Sequence, residues 1–314
     1  MTDVTIIIPT YNRPNELRDC LESILKQSVK PMEVIVVDDG NLGDPPLKQE
    51  FISVGIQYIL FKKDRPGLTE SRNVGVKLAK GQIIFFLDDD VVLFPDYVEQ
   101  ILKVYKERDG FIGGVGGYVD NEPPLRSRDL VKHYIEMLFL AWSPREGRVL
   151  PSGFSTPLGE SPFPFRDITE VDFLSGGVSS FHRKIFEEYS FTERYHDIAL
   201  NEDQDFSVMV SRRYPLFVNP NARLLHFHSS AMRPNERIVA KKFILGNYLL
   251  FRRFIMRGWW YWPMFWYAVF GTIITRGLSL MISPFAAKSE SLLGMIDAVF
   301  LIIQRKVPDL GNVK

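Results

Sequence analysis

Gln82-Ile83-Ile84-Phe85-Phe86-Leu87-Asp88-Asp89-Asp90 is the stretch that decides the fold of this chain. An unbroken apolar run of this length, closed by polar residues, is the pattern of a strand covered on both faces, as in a parallel sheet. Three consecutive carboxylates behind it repel one another, and their pKa values rise. A cation between them removes that penalty, and hard divalent cations take oxygen ligands from carboxylates and from substrate phosphates. The carboxyl end of a strand in an open α/β sheet is also where ligands bind. Read alone, the triplet equally describes a solvated acidic turn ahead of Pro95-Asp96.

Upstream, the same pattern recurs. Val4 to Pro9 and Glu33 to Val37 read as buried strands, and Ile56 to Phe61 as a third. Between them, Leu17, Cys20, Leu21, Ile24 and Leu25 keep helical spacing behind Pro14-Asn15, and Thr69 to Ala79 reads as a helix stopped by Gly81. A helix over Tyr97 to Tyr105 follows the aspartates. Alternating strands and helices predict an α/β fold with a mostly parallel sheet and right-handed crossovers. Downstream, helices are expected around Asp129 to Trp142, from near Arg183, and over Glu202 to Arg213. Strands are expected over Glu170 to Leu174, Leu216 to Val218 and Ala222 to Phe227.

The 38 basic and 38 acidic residues balance, which argues against a general nucleic-acid partner. The single cysteine, Cys20, rules out a disulfide within the chain and suits a reducing, cytosolic setting. Met1 to Val4 lead directly into a strand without the charged leader and apolar core of a signal peptide. Beyond residue 236 the composition changes. Trp259 to Thr275 carries no charge and eight aromatic residues, behind Lys241, Lys242, Arg252, Arg253 and Arg257. Aromatic segments flanked by basic residues belong to membrane interfaces. The segment therefore lies on or dips into a membrane surface, spans it, or serves a soluble helical cap or the interface of a homodimer.

Several residues carry chemistry. Thr10 and Tyr11 end the first strand and Asp39 the second, so they flank one crevice. There a carboxylate can accept from a base N–H or a ribose hydroxyl while the Tyr11 ring packs on a flat base. Asp38 and Asp39 could equally cap the turn at Gly40. Arg72 and Asn73 are read as opening a helix, where an arginine and a helix N-terminus suit a diphosphate. Glu202-Asp203 stand at another helix start, either as first-turn acids or as a general base and its neighbour. His226 and His228 follow a strand, and an imidazole there can complete a site that carboxylates begin. His226 is favoured, with His228 as the alternative. No P-loop and no Gly-x-Ser-x-Gly elbow occurs.

Assembled, the chain resembles glycosyltransferase family 2, the inverting enzymes of GT-A fold. The resemblance rests on Ile8-Pro9-Thr10-Tyr11-Asn12-Arg13, Val36-Val37-Asp38-Asp39-Gly40, Ser71-Arg72-Asn73 with Gly75, Phe86-Leu87-Asp88-Asp89-Asp90 with Pro95-Asp96, Phe173-Leu174-Ser175-Gly176-Gly177, and Asn201-Glu202-Asp203-Gln204-Asp205-Phe206. It implies a nucleoside-diphosphate sugar donor, a glycan or lipid-linked acceptor, and Mn²⁺ or Mg²⁺. It implies that Thr10, Tyr11, Asp39 and Arg72, with Pro9, Arg13 and Asp89, hold the nucleotide. Asp88 approaches the ribose or the metal, Asp90 and His226 ligate the metal, Gly176 and Gly177 admit the diphosphate or acceptor, and Asp203 is the base beside Glu202. A catalytic domain over 1–236 (nucleotide half 1–119, acceptor half 120–236) and a helical, membrane-associated extension over 237–314 follow, at the cytoplasmic face of a membrane. Alternatives are a sugar-phosphate nucleotidyltransferase, disfavoured because Thr10-Tyr11-Asn12-Arg13-Pro14 stands where a Gly-rich loop is needed, and a non-catalytic nucleotide-sugar-binding module.

Overall fold

The computed structural model describes residues 3–122, 127–159, 161, 163–193, 195, 200–227, 235–282 and 286–307. The chain forms two compact units. One comprises Met1–Pro123, Phe165–Glu193 and Phe206–Ser229, the other Pro124–Pro164, Arg194–Asp205 and Ser230–Lys314. Packing thus groups 124–164 and 194–205 with the C-terminal helices, a different division from a single boundary at 236.

The first unit is built on a nine-stranded sheet of β1 (Val4–Thr10), β2 (Glu33–Asp38), β3 (Gln57–Lys62), β4 (Ile83–Leu87), β5 (Val91–Leu93), β6 (Gly114–Val119), β7 (Thr169–Val171), β8 (Val178–His182) and β9 (Leu216–His226). Its order is β3-β2-β1-β4-β8-β6-β9-β5, with β7 on β9. The expected parallel arrangement holds over β3-β2-β1-β4. Beyond β4, β8 enters antiparallel, and β6 and β9 then pair in parallel. Chain order runs outward from β1 to β3 and then returns to β4 on the other side of β1, so β1 and β4 flank a topological switch point, where open α/β sheets bind ligands.

The apolar runs explain this sheet. Ile6, Ile8, Val34, Val36, Phe85 and Leu87 point to one face and meet Leu17, Leu21 and Ile24 of helix α1 (Pro14–Leu25) and Val98, Ile101 and Val104 of the helix Tyr97–Glu107. On the opposite face Phe86 meets Phe191 at 5.2 Å, and Phe191 and Phe206 stack at 4.1 Å. Neighbouring strand residues alternate faces, and each fully buried ring contributes about 1.5–3 kcal/mol.

Three features differ from the sequence reading. Leu216 to Val218 and Ala222 to Phe227, expected as two short strands around Pro220-Asn221, are joined into the single strand β9, which ends at His226, and the register of β6 against it shifts between Gly116 and Tyr118. The strand expected over Glu170 to Leu174 is only Thr169–Val171, and the following strand, β8, had no signal. Its Ser180 is buried in the sheet and donates to Val115 O at 2.7 Å, so a polar residue satisfied by the backbone hid the strand.

The second unit is helical, with Ser127–Leu138, Glu236–Leu250, a π-helical turn Phe251–Ile255, Trp262–Ile282 and Ala286–Ile303. The helix Glu202–Ser211 begins in it. Phe154, Tyr195, Ile244, Leu249, Phe251, Phe265, Val269 and Met295 form its core.

Candidate active site

The site grows from the carboxyl ends of β1, β2 and β4. Thr10 pairs with Asp38 across β1 and β2, so the two strand ends are neighbours, as the sequence implied. Asp38 is a turn cap: its carboxylate accepts from Gly40 N at 2.8 Å and Leu42 N at 2.9 Å. Asp39 is different. It is buried, accepting from Ser71 Oγ at 2.5 Å and Gly67 N at 2.9 Å, with Lys63 Nζ at 3.3 Å. These contacts join β2 to the start of the helix Leu68–Leu78. Tyr11 is exposed, as a ring that packs on a ligand must be. Pro9 and Thr10 are both buried in β1, so Tyr11 is the exposed residue at this strand end.

Three aspartates adjacent in sequence have three environments. Asp89 accepts from Thr10 Oγ1 at 2.7 Å and Arg13 at 3.2 Å, which ties the β4 turn to the end of β1. Burial pushes its carboxyl up to about 6, against the opposing pull of Thr10 and Arg13. Asp88 and Asp90 approach His226, and Asp90 also lies 3.5 Å from the Arg13 guanidinium. One ligand atom each from Asp88, Asp90 and His226 lies within 4.8 Å of the others. His226 Nε2 is 3.0 Å from Asp90 Oδ1 and 4.0 Å from Asp88 Oδ2. Desolvation depresses the imidazole, but the Asp90 hydrogen bond and the two carboxylate charges outweigh it and raise its pKa.

An element without a sequence signal brings His226 there. β5 pairs antiparallel with β9, setting Val91 opposite His226, and Phe227 N donates to Asp90 O at 3.0 Å. Asn121 grips the backbone from the other edge, accepting from His226 N at 2.8 Å and donating to His226 O at 3.0 Å. Two carboxylates and one imidazole are a donor set suited to Mn²⁺ and, with fewer nitrogen ligands, to Mg²⁺. The alternative ligand His228 lies outside the described residues.

Arg72 does not open its helix. The helix starts at Leu68, and Arg72 sits in its second turn, buried over the Phe191 ring at 5.5 Å and 3.7 Å from Asp88 Oδ1. The two glycines Gly176 and Gly177 lie against Arg72 and Asp88. A Cβ on Gly176 would lie 2.6 Å from an Arg72 guanidinium nitrogen, and one on Gly177 would collide with the Asp88 carboxylate. Within the described residues, the space left by these glycines admits two protein side chains, and Gly177 O accepts from Asp88 N at 3.1 Å.

Comparison with known proteins fits this arrangement. The model of glycosyl transferase family 2 matches residues 5–190, more than half of the chain. The chain belongs to glycosyl transferase family 2. EpsH of Bacillus subtilis (strain 168), assigned by name to the glycosyltransferases, is 30 % identical over 162 residues, 48 % of this chain and 45 % of EpsH. Glycosyltransferase GlyA of Streptococcus pneumoniae serotype 4 is 34 % identical over 116 residues, 37 % of this chain and 16 % of GlyA. The aligned part thus spans less than half the length of either relative. Among solved structures, the mannosyltransferase PcManGT from Pyrobaculum calidifontis, in complex with GDP-Man and Mn²⁺, superposes with a TM-score of 0.54. The superposition covers 97 % of this chain and 88 % of that one at 15 % identity, a likeness of fold. The family 2 chain therefore has the GT-A fold that its motifs implied.

The remaining expected residues of this family 2 chain, Glu202 and Asp203, open the helix Glu202–Ser211 and belong to the second unit. Both are half-buried, and Asp203 Oδ1 accepts from Gln204 N at 2.8 Å. Asp205, two residues on, is buried in an ion pair with Arg253. Arg253, which the sequence placed in a basic flank of the aromatic segment, is therefore an internal partner and not a surface charge. Lys63 and Asn121 were missed, and Ser71 was read only as part of a motif, because each is an unremarkable polar residue whose role depends on partners up to 105 positions away.

Proposed function

We propose that this protein is an inverting, metal-dependent glycosyltransferase that moves a sugar from a nucleoside-diphosphate sugar to a hydroxyl of a glycan or lipid-linked acceptor. The convergence of Asp88, Asp90 and His226 at the β1–β4 switch point supports the reading more than any other observation. Asp88, Asp90 and His226 would hold Mn²⁺ or Mg²⁺, which when bound offsets the charge that develops on a departing diphosphate. Tyr11 offers its exposed ring to the nucleobase, Arg13 lies beside it, and the buried Thr10, Asp39, Asp89 and Arg72 fix the strand ends on which the nucleoside rests. The Asp203 carboxylate takes the proton of the acceptor hydroxyl. The acceptor oxygen then bonds to the anomeric carbon from the face opposite the leaving group. The nucleoside diphosphate leaves with the bonding electron pair, and the anomeric centre inverts without a covalent enzyme intermediate.

Donor turnover with Mn²⁺ or Mg²⁺ tests this. Asp203→Asn should retain nucleotide binding and lose transfer by at least about a hundredfold, the size of a general-base contribution. Transfer at the wild-type rate by that variant would remove Asp203 from the mechanism.

Membrane attachment is part of the same proposal. Among the described residues, one helical stretch, Trp259–Met281, is long and apolar enough to cross a membrane, and only a third of it is buried. Trp259, Trp260, Phe270 and Met281 are exposed on it. These side chains, with Arg252 and Arg257, suit insertion into the headgroup region of an anionic lipid surface at the cytoplasmic face.

A further inference from the structure

Thr69, Ser71, Arg72 and Asn73, in the first two turns of the helix Leu68–Leu78, are all buried, and each is tied to a residue outside that helix. Buried polar side chains are costly unless they find partners. Ser71 reaches Asp39, and Arg72 approaches Asp88. The other two turn to a different segment. Thr69 Oγ1 donates to Glu193 O at 2.8 Å. Asn73 pairs with the backbone of Phe191 as a neighbouring strand would. Its Nδ2 donates to Phe191 O at 2.9 Å, and its Oδ1 accepts from Phe191 N at 3.0 Å.

Phe191 lies outside any helix or strand, yet it is only 3 % exposed. A loop residue taken into a core needs partners for its backbone N–H and C=O, and Asn73 supplies both. The Phe191 ring centre is 5.5 Å from the Arg72 guanidinium carbon, within the reach of a cation–π contact. The same ring stacks on Phe206 at 4.1 Å, with 23° between the planes. Phe206 belongs to the helix Glu202–Ser211 and is held a second time by Phe186, which stacks on it at 5.5 Å. Every one of these side chains belongs to the first unit.

We propose that Phe191, locked by Asn73, is a positioning residue for the transfer reaction: it sets the helix Glu202–Ser211 against the helix that carries Ser71 and Arg72. This rests on the glycosyl-transfer reading. Asp203, the proposed base, stands three residues before Phe206 on that continuous helix, so a ring that fixes Phe206 fixes the turn that presents the carboxylate. Displacing a reacting group by about 1 Å costs on the order of a hundredfold in rate. A ring that only filled space would lower stability and leave the rate alone.

Two variants and a control on the full chain separate these cases. Phe191→Leu keeps an apolar side chain and removes the ring. Asn73→Asp keeps every ring and turns an acceptor towards Phe191 O in place of a donor. Phe51→Leu removes a fully buried ring from the core on the other face of the sheet and serves as the control. Nucleoside diphosphate release is followed with Mn²⁺ from UDP-glucose, UDP-N-acetylglucosamine, GDP-mannose and dTDP-rhamnose, with methyl glucoside and methyl N-acetylglucosaminide as acceptors. Titration calorimetry with Mn²⁺ and amide hydrogen exchange over 206–211 accompany it. Phe191→Leu and Asn73→Asp should each lower kcat at least tenfold below the control. Donor KM and the Mn²⁺ Kd should stay within threefold of wild type, and exchange over 206–211 should quicken at least tenfold in Phe191→Leu but not in Phe51→Leu. Should Phe191→Leu fail to fold, Asn73→Asp carries the comparison. The assignment is overturned if both variants turn over as fast as the control, or if their loss lies in donor KM or Mn²⁺ affinity. Absence of nucleotide release by the wild type with every donor defeats the glycosyltransferase reading instead. Exchange then decides alone: quickening over 206–211 confined to Phe191→Leu keeps the ring as the support of that helix, and equal exchange in the two leucine variants removes it.

Discussion

Asp90 and Asp89 share a peptide bond and have opposite duties. Asp89 is committed to Thr10 and Arg13 inside the protein, and its raised pKa is the consequence of burial. Asp90 reaches His226. Replacing Asp90 with Asn, or His226 with Gln, should weaken Mn²⁺ binding by at least about tenfold in isothermal titration calorimetry, because each removes one of the three proposed ligands. Equal affinities in wild type and variants would place the metal elsewhere. The pH dependence has a definite sign. A metal takes neutral imidazole, and the neighbouring carboxylates hold the His226 pKa above its ordinary 6.5. Mn²⁺ affinity should therefore fall as pH drops through that raised value, and the slope there should flatten in His226→Gln. Gly177 offers a second probe. Gly177→Ala drives a methyl group into the Asp88 carboxylate. The expected cost is about 1–3 kcal/mol of stability, as for overpacking elsewhere, together with weaker Mn²⁺ binding; a variant that binds metal normally would separate Asp88 from the site.

Elements differ in how plainly the sequence announces them, and the reason is what satisfies each one. β1, β2 and β4 are buried on both faces, so their burial is written as unbroken apolar runs. β5 has three residues and β8 carries Ser179-Ser180, so neither offers a pattern, although β5 is what sets His226 beside Asp90. Asp88, Asp90 and His226 stood out as candidate ligands because carboxylates and imidazoles are conspicuous. Their supports did not, because Asn121 and Lys63 act through hydrogen bonds that only the folded chain creates. The same holds for the link between the π-helical turn and the helix Glu202–Ser211. Arg253 and Asp205 form an ion pair, with side chains 9 % and 1 % exposed. Arg253→Met takes the guanidinium away from the buried Asp205 carboxylate and should cost about 3–5 kcal/mol in urea unfolding, whereas Arg253→Met with Asp205→Leu should recover much of that loss. Equal destabilisation by the single and double variants would show that the pair is not what matters. Cys20 reports on α1. Burial raises its thiol pKa, with Asp89, Asp88, Asp90 and Asp19 adding to the shift, so 5,5′-dithiobis(2-nitrobenzoate) should label native protein slowly even at pH 8 and label unfolded protein at once. Rapid native labelling would mean that α1 opens readily.

The C-terminal quarter matters to the molecule in two ways that are easily confused. Its exposed aromatic residues suggest a membrane anchor, which invites removing everything after residue 236 to obtain a soluble catalytic fragment. The core of the second unit argues against that cut. Ala141, Phe154 and Tyr195 pack with Ile244, Leu249, Phe251, Phe265 and Met295, and five of these eight lie beyond 236. Stripping several fully buried side chains, at about 1.5–3 kcal/mol each, exceeds the 5–15 kcal/mol by which domains are stable. The fragment 1–236 should therefore lose near-UV circular dichroism and become protease-sensitive over 124–164, whether or not a membrane is present. Anchoring must be tested with the core intact. Trp259 and Trp260 are 77 % and 58 % exposed, so Trp259→Ser with Trp260→Ser should leave the melting temperature nearly unchanged. Partition onto vesicles of phosphatidylcholine and phosphatidylglycerol should fall by at least about tenfold, since two large apolar side chains no longer leave water. Raising the salt concentration should weaken wild-type binding as well, because Arg252 and Arg257 contribute through screened charge. Vesicle binding that survives the double substitution would exclude the aromatic segment as the lipid contact, and it would leave the chemistry of the first unit untouched, since none of Asp88, Asp90 and His226 belongs to the helices being altered.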